Sequence, residues 1–402
     1  MNHPHVKLPR PDLLIRGGRV VDTATGESVL ADVGVRHGVV TPVAALDEAV
    51  TVDADGRFVL FGLNDVHSHP GGLMYDPCGH GYFENLADRT VRAGENLLQA
   101  VAMGVTGVRA VGEAEGADLA WSRAFAAGEY PGPRLHCAGP IIRTTGGHGT
   151  AFPREYLHVA TDLVGDGVDA MRRAVRHLGE RGVDWVKICL TGGLYSPHES
   201  VDGGQLSADE LNAVMTTARE RGLPVAAHCG SARLAEEFAR QGGRSVEHGY
   251  ALDEAAVAVM AELGCFLVPT IGVTHDVELM LADGWPEHAR GRAATTAPGH
   301  AEGVLAAVAA GVKLACGGDL NPIGPRLHAE LAMLERIGID RRTVLHAATS
   351  GGRELLGLGA STVPTAGDPA DLVIVDADPL ADLATLREPA AVIVFGRLVD
   401  AR

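Results

Sequence analysis

At 402 residues, with 46% hydrophobic and 21% charged residues, the chain has the composition of an ordinary globular protein, which excludes wholesale disorder and fits one large domain with an accessory module. A formal net charge of −17 sets it against sequence-independent attraction to nucleic acid or to anionic membranes, because phosphate would repel it. No stretch reaches the roughly 18 consecutive apolar residues of a spanning helix, the N-terminus has no apolar leader core, and the cysteines (Cys78, Cys137, Cys189, Cys229, Cys265 and Cys316) are scattered without a CxxC pair, so the expectation is a cytoplasmic enzyme with reduced thiols.

Residues 13 to 60 hold short β-rich runs, Leu13 to Arg16, Val20 and Val21, Val33 to Val35 and Val39 to Val43, broken by Gly and Asp rather than by helices. From Gly104 onward the texture changes. A glycine repeatedly closes a helical pattern and opens an apolar run of four to six residues that ends in something polar, as at Gly104, Gly182 and Gly222. The clearest helix begins at Ser207, with Glu210 completing a capping box and Leu211, Val214, Met215 and Ala218 on one face; another runs from about Asp253 to Leu263. Candidate strands near 62–67, 105–110, 134–139, 184–190, 224–228, 244–248, 265–270 and 312–317 number eight, which closes a (β/α)8 TIM barrel. Asp371 to Asp376 and Ala391 to Phe395 return to the β texture of the start. The fold class is therefore α/β, with a small β module built from both termini (1–60 plus 360–402) around a barrel at 61–359; two unrelated terminal hairpins are the plainer alternative for the module.

The chemistry-bearing residues sit at the ends of those apolar runs. His67 and His69 are two apart and share a side of their strand, while Lys187, His228, His248 and Asp319 end or nearly end later runs. An isolated His-x-His pair is more often a loop or core feature. The ordered set of six reads as a two-metal hydrolytic centre at the C-terminal face, where barrel enzymes build their active sites. Imidazole and carboxylate suit zinc, with manganese or nickel as alternatives.

The segments GLNDVHSH (62–69), RLHCAGPIIRTTGGHG (134–149), VKICLTGG (186–193), AAHCG around His228, SVEHG around His248, GGD at Asp319 and AGDPADLVIVDADPL near the C-terminus resemble the amidohydrolase superfamily, in particular its imidazolonepropionase-like and Xaa-Arg or Xaa-Pro dipeptidase branch. The resemblance implies a distorted barrel with a flanking β-sandwich, two divalent metal ions, commonly Zn2+, and hydrolysis of an amide or related bond. It implies that His67, His69 and Asp319 hold the more buried metal, that His228 and His248 hold the more exposed one, and that Lys187, as a carbamate formed with CO2, bridges both. Some positions depart from the family pattern: Phe61 stands where Pro is frequent, Ala110 where Asp is, Gly318 where Thr is, and Cys229 and Gly230 alter the stretch after His228. These departures bear on substrate choice rather than on metal chemistry.

Roles beyond ligation are open at this stage. Asp319 is read as general base and acid, against a ligand-only role. His148, in a glycine-rich loop, is expected to face the site and touch the substrate carbonyl or oxyanion, against a loop histidine of no consequence. Tyr195 contacts substrate or packs its loop. Arg143 pairs with a substrate carboxylate or anchors a loop to an acidic neighbour. His328 and Glu330 gate the pocket or orient Asp319, against ordinary helix-start chemistry. The expected function is metal-dependent hydrolysis of amide bonds in small molecules, most simply a dipeptide or N-acyl amino acid, by a homo-oligomer without nucleic-acid or membrane partners. Opening of a cyclic amide, imidazolone or lactone is the alternative, and a metal-free non-catalytic scaffold the third.

Overall fold

A computed structural model describes residues 7–8, 10–72, 85–114, 116–149 and 161–401. Strands Leu13–Val21, Ser28–Arg36, Val39–Thr41, Val50–Asp53 and Phe58–Phe61 from the N-terminal side join Leu372–Val375, Ala391–Val394 and Arg397–Ala401 in one eight-stranded mixed sheet. The seam between the two ends of the chain is antiparallel, with Leu372 opposite Phe61 and Val375 opposite Phe58. Alternation along these strands sends Leu13, Ile15, Val33, Val35, Phe61, Leu372 and Ile374 into a core of their own.

Between the two ends lie two all-parallel sheets. Leu63–Ser68, Val105–Ala110 and Arg134–Cys137 form one; Asp162–Val164, Ile141–Arg143, Val186–Cys189, Val225–Cys229, Ser245–His248 and Phe266–Val268 form the other, in that order. Backbone hydrogen bonds cross between them. The Cys137 carbonyl accepts from Asp184 at 2.8 Å and Trp185 at 3.1 Å, and on the other side the Val66 N–H reaches the Cys316 carbonyl at 2.9 Å. The run at 312–317, expected as a full strand, is reduced to a single parallel bridge between Leu267 and Leu314. Conversely, the short strands Ile141–Arg143 and Asp162–Val164 were not expected; they flank the loop that carries His148.

Helices connect the parallel strands, and two end as their sequence requires. Val168–Arg181 and Glu254–Leu263 stop on Gly182 (φ 81°) and Gly264 (φ 67°), left-handed residues that close the helix and release the chain into a buried strand. Ala208–Glu220 begins with the expected Ser207–Glu210 capping box. Because the strands run parallel, their C-terminal ends share one rim. Between the strands, Val66, Ala138, Trp185, Ala226, Phe266 and Ala315 form an apolar cluster, whereas the rim end is polar. Among the described residues no helix is long and apolar enough to cross a membrane. The described cysteines are free and buried; Cys78 lies outside the described residues.

Candidate metal centre

His67 leaves the end of Leu63–Ser68, and His69 follows one residue beyond it. The carboxylate of Asp319 meets both: Oδ1 lies 3.3 Å from Nε2 of each ring. Asp319 itself has φ 64°, its N–H donates to the His67 carbonyl at 2.7 Å, and the preceding Gly317 has no room for a side chain, since a Cβ there would sit 2.5 Å from His67 Cβ. Gly318 is also tight, its would-be Cβ meeting Arg326 Cβ at 2.9 Å, so a threonine there would require the Arg326 backbone to shift. Lys187 Nζ is 3.5 Å from His67 Nε2.

His228 and His248 come from adjacent strands whose register pairs His228 with Glu247 and Cys229 with His248. Neighbouring strand residues ordinarily face opposite sides. Glu247 and His248 nevertheless both reach the same cluster, because His248 adopts φ 67°, a left-handed conformation that a non-glycine residue holds only when its surroundings enforce it. Ligand atoms of His67, His248 and Asp319 lie within 4.8 Å of one another, and the His228 and His248 rings meet edge to face with centroids 4.5 Å apart.

The second nitrogen of each histidine decides what the first can do. His67 Nδ1 lies 2.7 Å from a Glu247 carboxylate oxygen and His69 Nδ1 3.0 Å from the Gly112 carbonyl; both partners only accept, so Nδ1 carries a hydrogen, and in the neutral tautomer that fits these contacts the lone pair is on Nε2. For His228 the roles reverse: Nε2 donates to the Gly192 carbonyl at 3.0 Å, which leaves the lone pair on Nδ1. His248 Nδ1 is held by Thr270 Oγ1 at 2.6 Å. Burial, with neighbouring positive groups, drives His228 and His248 well below the ordinary histidine range, which keeps them neutral. Burial also lowers the Lys187 ammonium, favouring the free amine. Asp319 is anionic: burial alone would raise it, but His67, His69 and His248 hold it well below the ordinary carboxylate range. Imidazole nitrogens with their second nitrogens already held, a buried amine and a carboxylate form a donor set that a divalent cation can take once it displaces the remaining protons, so these residues fit one.

Several participants escaped the sequence reading. Glu247 is wholly buried; burial would raise it, yet Arg109 and His67 hold it at about 2. Arg109, also fully buried, donates to the Val66 carbonyl (2.5 Å), Ser245 Oγ (2.9 Å) and Glu247 Oε1 (2.8 Å) and lies over the Trp185 ring. Asp65 receives the N–H groups of His67 and Gly318 and is raised by burial to about 7. The buried Arg109 and Glu247 follow the strand alternation that the sequence displays, but nothing local marks them as partners.

The remaining expected residues divide. His148 comes to the site: its ring stacks on His228 at 3.9 Å, and Nδ1 is held by Glu199 at 2.8 Å. Glu199 also accepts the N–H groups of Gly193 and Gly149, so one carboxylate ties the His148 loop to the loop after Lys187. Tyr195 lines the same cavity, edge-on to Trp285, and its loop is pinned by Arg292, which donates to the Gly193, Leu194 and Ser196 carbonyls. Arg143 lines the cavity and pairs with Asp162 at 2.5 Å, the acidic neighbour that was one of its two expected fates. His328 is not brought to the cluster. It is buried, bonded to the Met103 carbonyl at 3.0 Å, lowered by burial to about 4, and braces one helix against another instead of gating the pocket. Glu330 does not touch Asp319 through a hydrogen bond; it accepts the N–H groups of Ile271 and Gly272.

The cavity around the cluster encloses about 760 Å³, part of it open to solvent, with an apolar wall of Ile141, Leu194, Tyr195, Val273, Trp285 and Leu320 facing the ionisable floor. An apolar wall with a few convergent polar groups is what a small-molecule site needs.

The sequence matches the amidohydrolase family over residues 58–399, and the chain belongs to that family. Ochratoxinase of Aspergillus niger is 28% identical over 356 residues, covering 82% of this chain and 72% of that protein. An uncharacterised protein of Mycobacterium tuberculosis is 31% identical over 266 residues, 64% of this chain and 69% of its own. Among solved structures, a prolidase complexed with N-methylphosphonate-L-proline is similar at 28% identity with a TM-score of 0.87, covering 97% of this chain and all of that one (100%). A Xaa-Pro dipeptidase with methionine bound in its active site is similar at 26% identity with a TM-score of 0.86, covering 96% and 99%. The fold is therefore of the TIM-barrel type found in this family, and the chain is a hydrolytic enzyme with dipeptidase-like structural relatives.

Proposed function

We propose that this protein is a metal-dependent hydrolase of amide bonds in small molecules, acting on a dipeptide or an N-acyl amino acid. The observation that carries the proposal is the set of lone pairs: His67 and His69 each present Nε2 to Asp319 because an acceptor fixes the hydrogen on Nδ1. In the same reading, the two parallel sheets and the bridge at Leu314 are one distorted (β/α)8 barrel at 61–359, and the sheet made from 1–60 and 360–402 is a flanking β-sandwich module.

His67, His69 and Asp319 would hold one divalent cation, zinc by donor type, and His228 and His248 a second, with Lys187 between them. Lys187 supports that role by its burial, which favours the free amine able to add to CO2; the N–C bond forms as one C–O π bond of CO2 opens, one proton leaves the nitrogen, and the amine becomes an anionic carbamate. Cations held there would lower the pKa of a water molecule and polarise the scissile carbonyl. Asp319 accepts the proton that the attacking water gives up and returns it to the departing amine. His148 lies on the open side of His228, where it can touch the substrate carbonyl. The fork of Arg143, steadied by Asp162, and the ring of Tyr195 border the space for the rest of the substrate. The apolar wall favours substrates with an apolar or aromatic side chain.

Incubating zinc-loaded protein with pooled dipeptides and N-acyl amino acids, and reading primary-amine release, tests the proposal. Turnover confined to cyclic amides, imidazolones or lactones would transfer the conclusion to ring opening. Protein that stays metal-free after growth with zinc would favour a scaffold.

A further inference from the structure

Tyr250 stands two residues beyond His248 and is only 3% exposed. Its ring lies nearly parallel to the His248 imidazole, with centroids 5.0 Å apart and 13° between the planes, and edge-on to His228 and His300 at 5.9 and 5.2 Å. Gly230 makes room for it. A Cβ at that position would lie 2.0 Å from the Val201 carbonyl oxygen and 3.0 Å from Tyr250 Cδ2. Leu194, Val273 and Trp285 belong to the same apolar cluster as the ring. His300, fully buried, donates from Nε2 to the His248 carbonyl at 3.0 Å and holds the backbone from which Tyr250 projects.

The ring is thus fixed, but its hydroxyl has no hydrogen-bond partner among the described residues, and it is not sealed in the interior. A phenol set this deeply ordinarily finds a partner for its O–H. The residue lines the cavity that contains His67, Lys187 and Asp319, so the partner is to be sought in what the cavity binds. Stacking on His248 sets the phenol beside the ionisable floor.

We propose that the Tyr250 hydroxyl is a substrate-contacting donor of this centre, giving its hydrogen to the carbonyl oxygen of the bond that is cleaved. The assignment rests on the amide-hydrolase reading above. No proton changes owner in this contact: the O–H stays on the phenol while the carbonyl carbon becomes tetrahedral and its oxygen gains charge, and the bond relaxes when the C–N bond breaks and the carbonyl re-forms. A donor aimed at charge that develops only during reaction raises kcat rather than ground-state affinity.

Tyr250→Phe keeps the stack on His248 and removes only the hydroxyl. With zinc-loaded protein, turnover of the amides identified from the pooled library is measured together with binding of N-phosphonyl amino acids, which carry the tetrahedral oxyanion. The expected result is a loss of about 10²-fold in kcat with KM within about threefold, a comparable loss of phosphonate affinity, and unchanged zinc content. A variant within twofold of the parent in both assays overturns the Tyr250 assignment and leaves the amide-hydrolase reading standing. A raised KM with kcat intact also overturns it, because the hydroxyl would then bind a part of the substrate that does not react. If the parent opens rings but cleaves no open-chain amide, the functional reading fails while Tyr250→Phe is still judged by kcat on the ring substrate. A parent that turns over neither class and binds no phosphonate overturns both.

Discussion

Glu247 and His67 are 180 residues apart in sequence and 2.7 Å apart in the structure, carboxylate oxygen to Nδ1. The other carboxylate oxygen belongs to Arg109, 2.8 Å away. This arrangement does two things at once. It neutralises a buried guanidinium whose desolvation would otherwise be severe, and it fixes the tautomer that turns a lone pair toward Asp319. Arg109 in turn hydrogen-bonds the Val66 carbonyl, so the strand that carries His67 is held by its backbone as well as by its ring.

Glu247→Gln removes the negative charge and one acceptor in a single step. The variant is expected to lose roughly 3–5 kcal/mol of stability, because the Arg109 charge stays buried without a counter-charge. Its zinc affinity is expected to fall about 10- to 100-fold through the unsettled His67 tautomer. Denaturant unfolding reads the first effect and competition with a chelator reads the second. A variant that binds zinc as tightly as the parent would show that this carboxylate has no part in preparing the ligand.

Lys187 and Asp319 separate structure from chemistry in the proposed centre. Lys187→Ala is expected to lower both metal content and turnover, with partial rescue by added short carboxylates that take the place of the carbamate. Asp319→Asn is expected to retain much of the metal yet lose most of its turnover, since an amide cannot carry the proton. Metal analysis beside amine-release rates distinguishes the two, and unaltered rates in the Asn variant would refute the proton role.

The histidines, the lysine and the aspartate were legible because each ends or nearly ends an apolar run, and parallel strands bring such ends to one rim. Their supports were not. Glu247 and Arg109 sit 138 positions apart with no local signal linking them, and the left-handed backbone at His248 and Asp319 falls at non-glycine residues, where sequence gives no warning. His328 misled because a histidine shortly after a metal-site aspartate looks functional, whereas its helix turns it toward the Met103 carbonyl. The run at 312–317 has the composition of a strand, but its pairing shrinks to one bridge before the Gly317–Gly318 turn that has to clear His67 and Arg326.

Gly193 is the small residue on which the placement of His148 depends. A Cβ there would lie 2.1 Å from His148 Cε1 and 2.6 Å from Nδ1, so Gly193→Ala must push the ring off its stack with His228 and away from Glu199. Turnover is expected to fall by about 10²-fold, the usual scale for an ångström of misplacement at a reacting group. The Tm is expected to move little, because the displaced ring can swing toward the cavity. Steady-state rates and thermal unfolding check both. Full activity in this variant would remove His148 from the set that touches substrate.

Glu330 gives the protein a specific pH signature. It is buried, and burial, with smaller contributions from Asp65 and Asp319, raises its folded-state pKa from 4.5 to about 8 despite two backbone N–H donors from Ile271 and Gly272. A folded pKa above the unfolded one means that the native state binds the proton more tightly. The associated stability is complete below about pH 4.5, declines through the window from 4.5 to 8, and is gone above it. Glu330→Gln cannot ionise, but its NH2 would face one of the two N–H donors, so the variant is expected to be less stable than the parent at pH 5. The deficit should shrink by about 1.4 kcal/mol per pH unit as pH rises toward 8. Asp118, another raised carboxyl, is common to both proteins and cancels in the difference, whereas Asp65, which acts on Glu330, adds its own release to the slope. Denaturant midpoints measured for the pair at pH 5, 6, 7 and 8 give the slope, and curves that stay parallel would mean that Glu330 is already ionised in the folded protein.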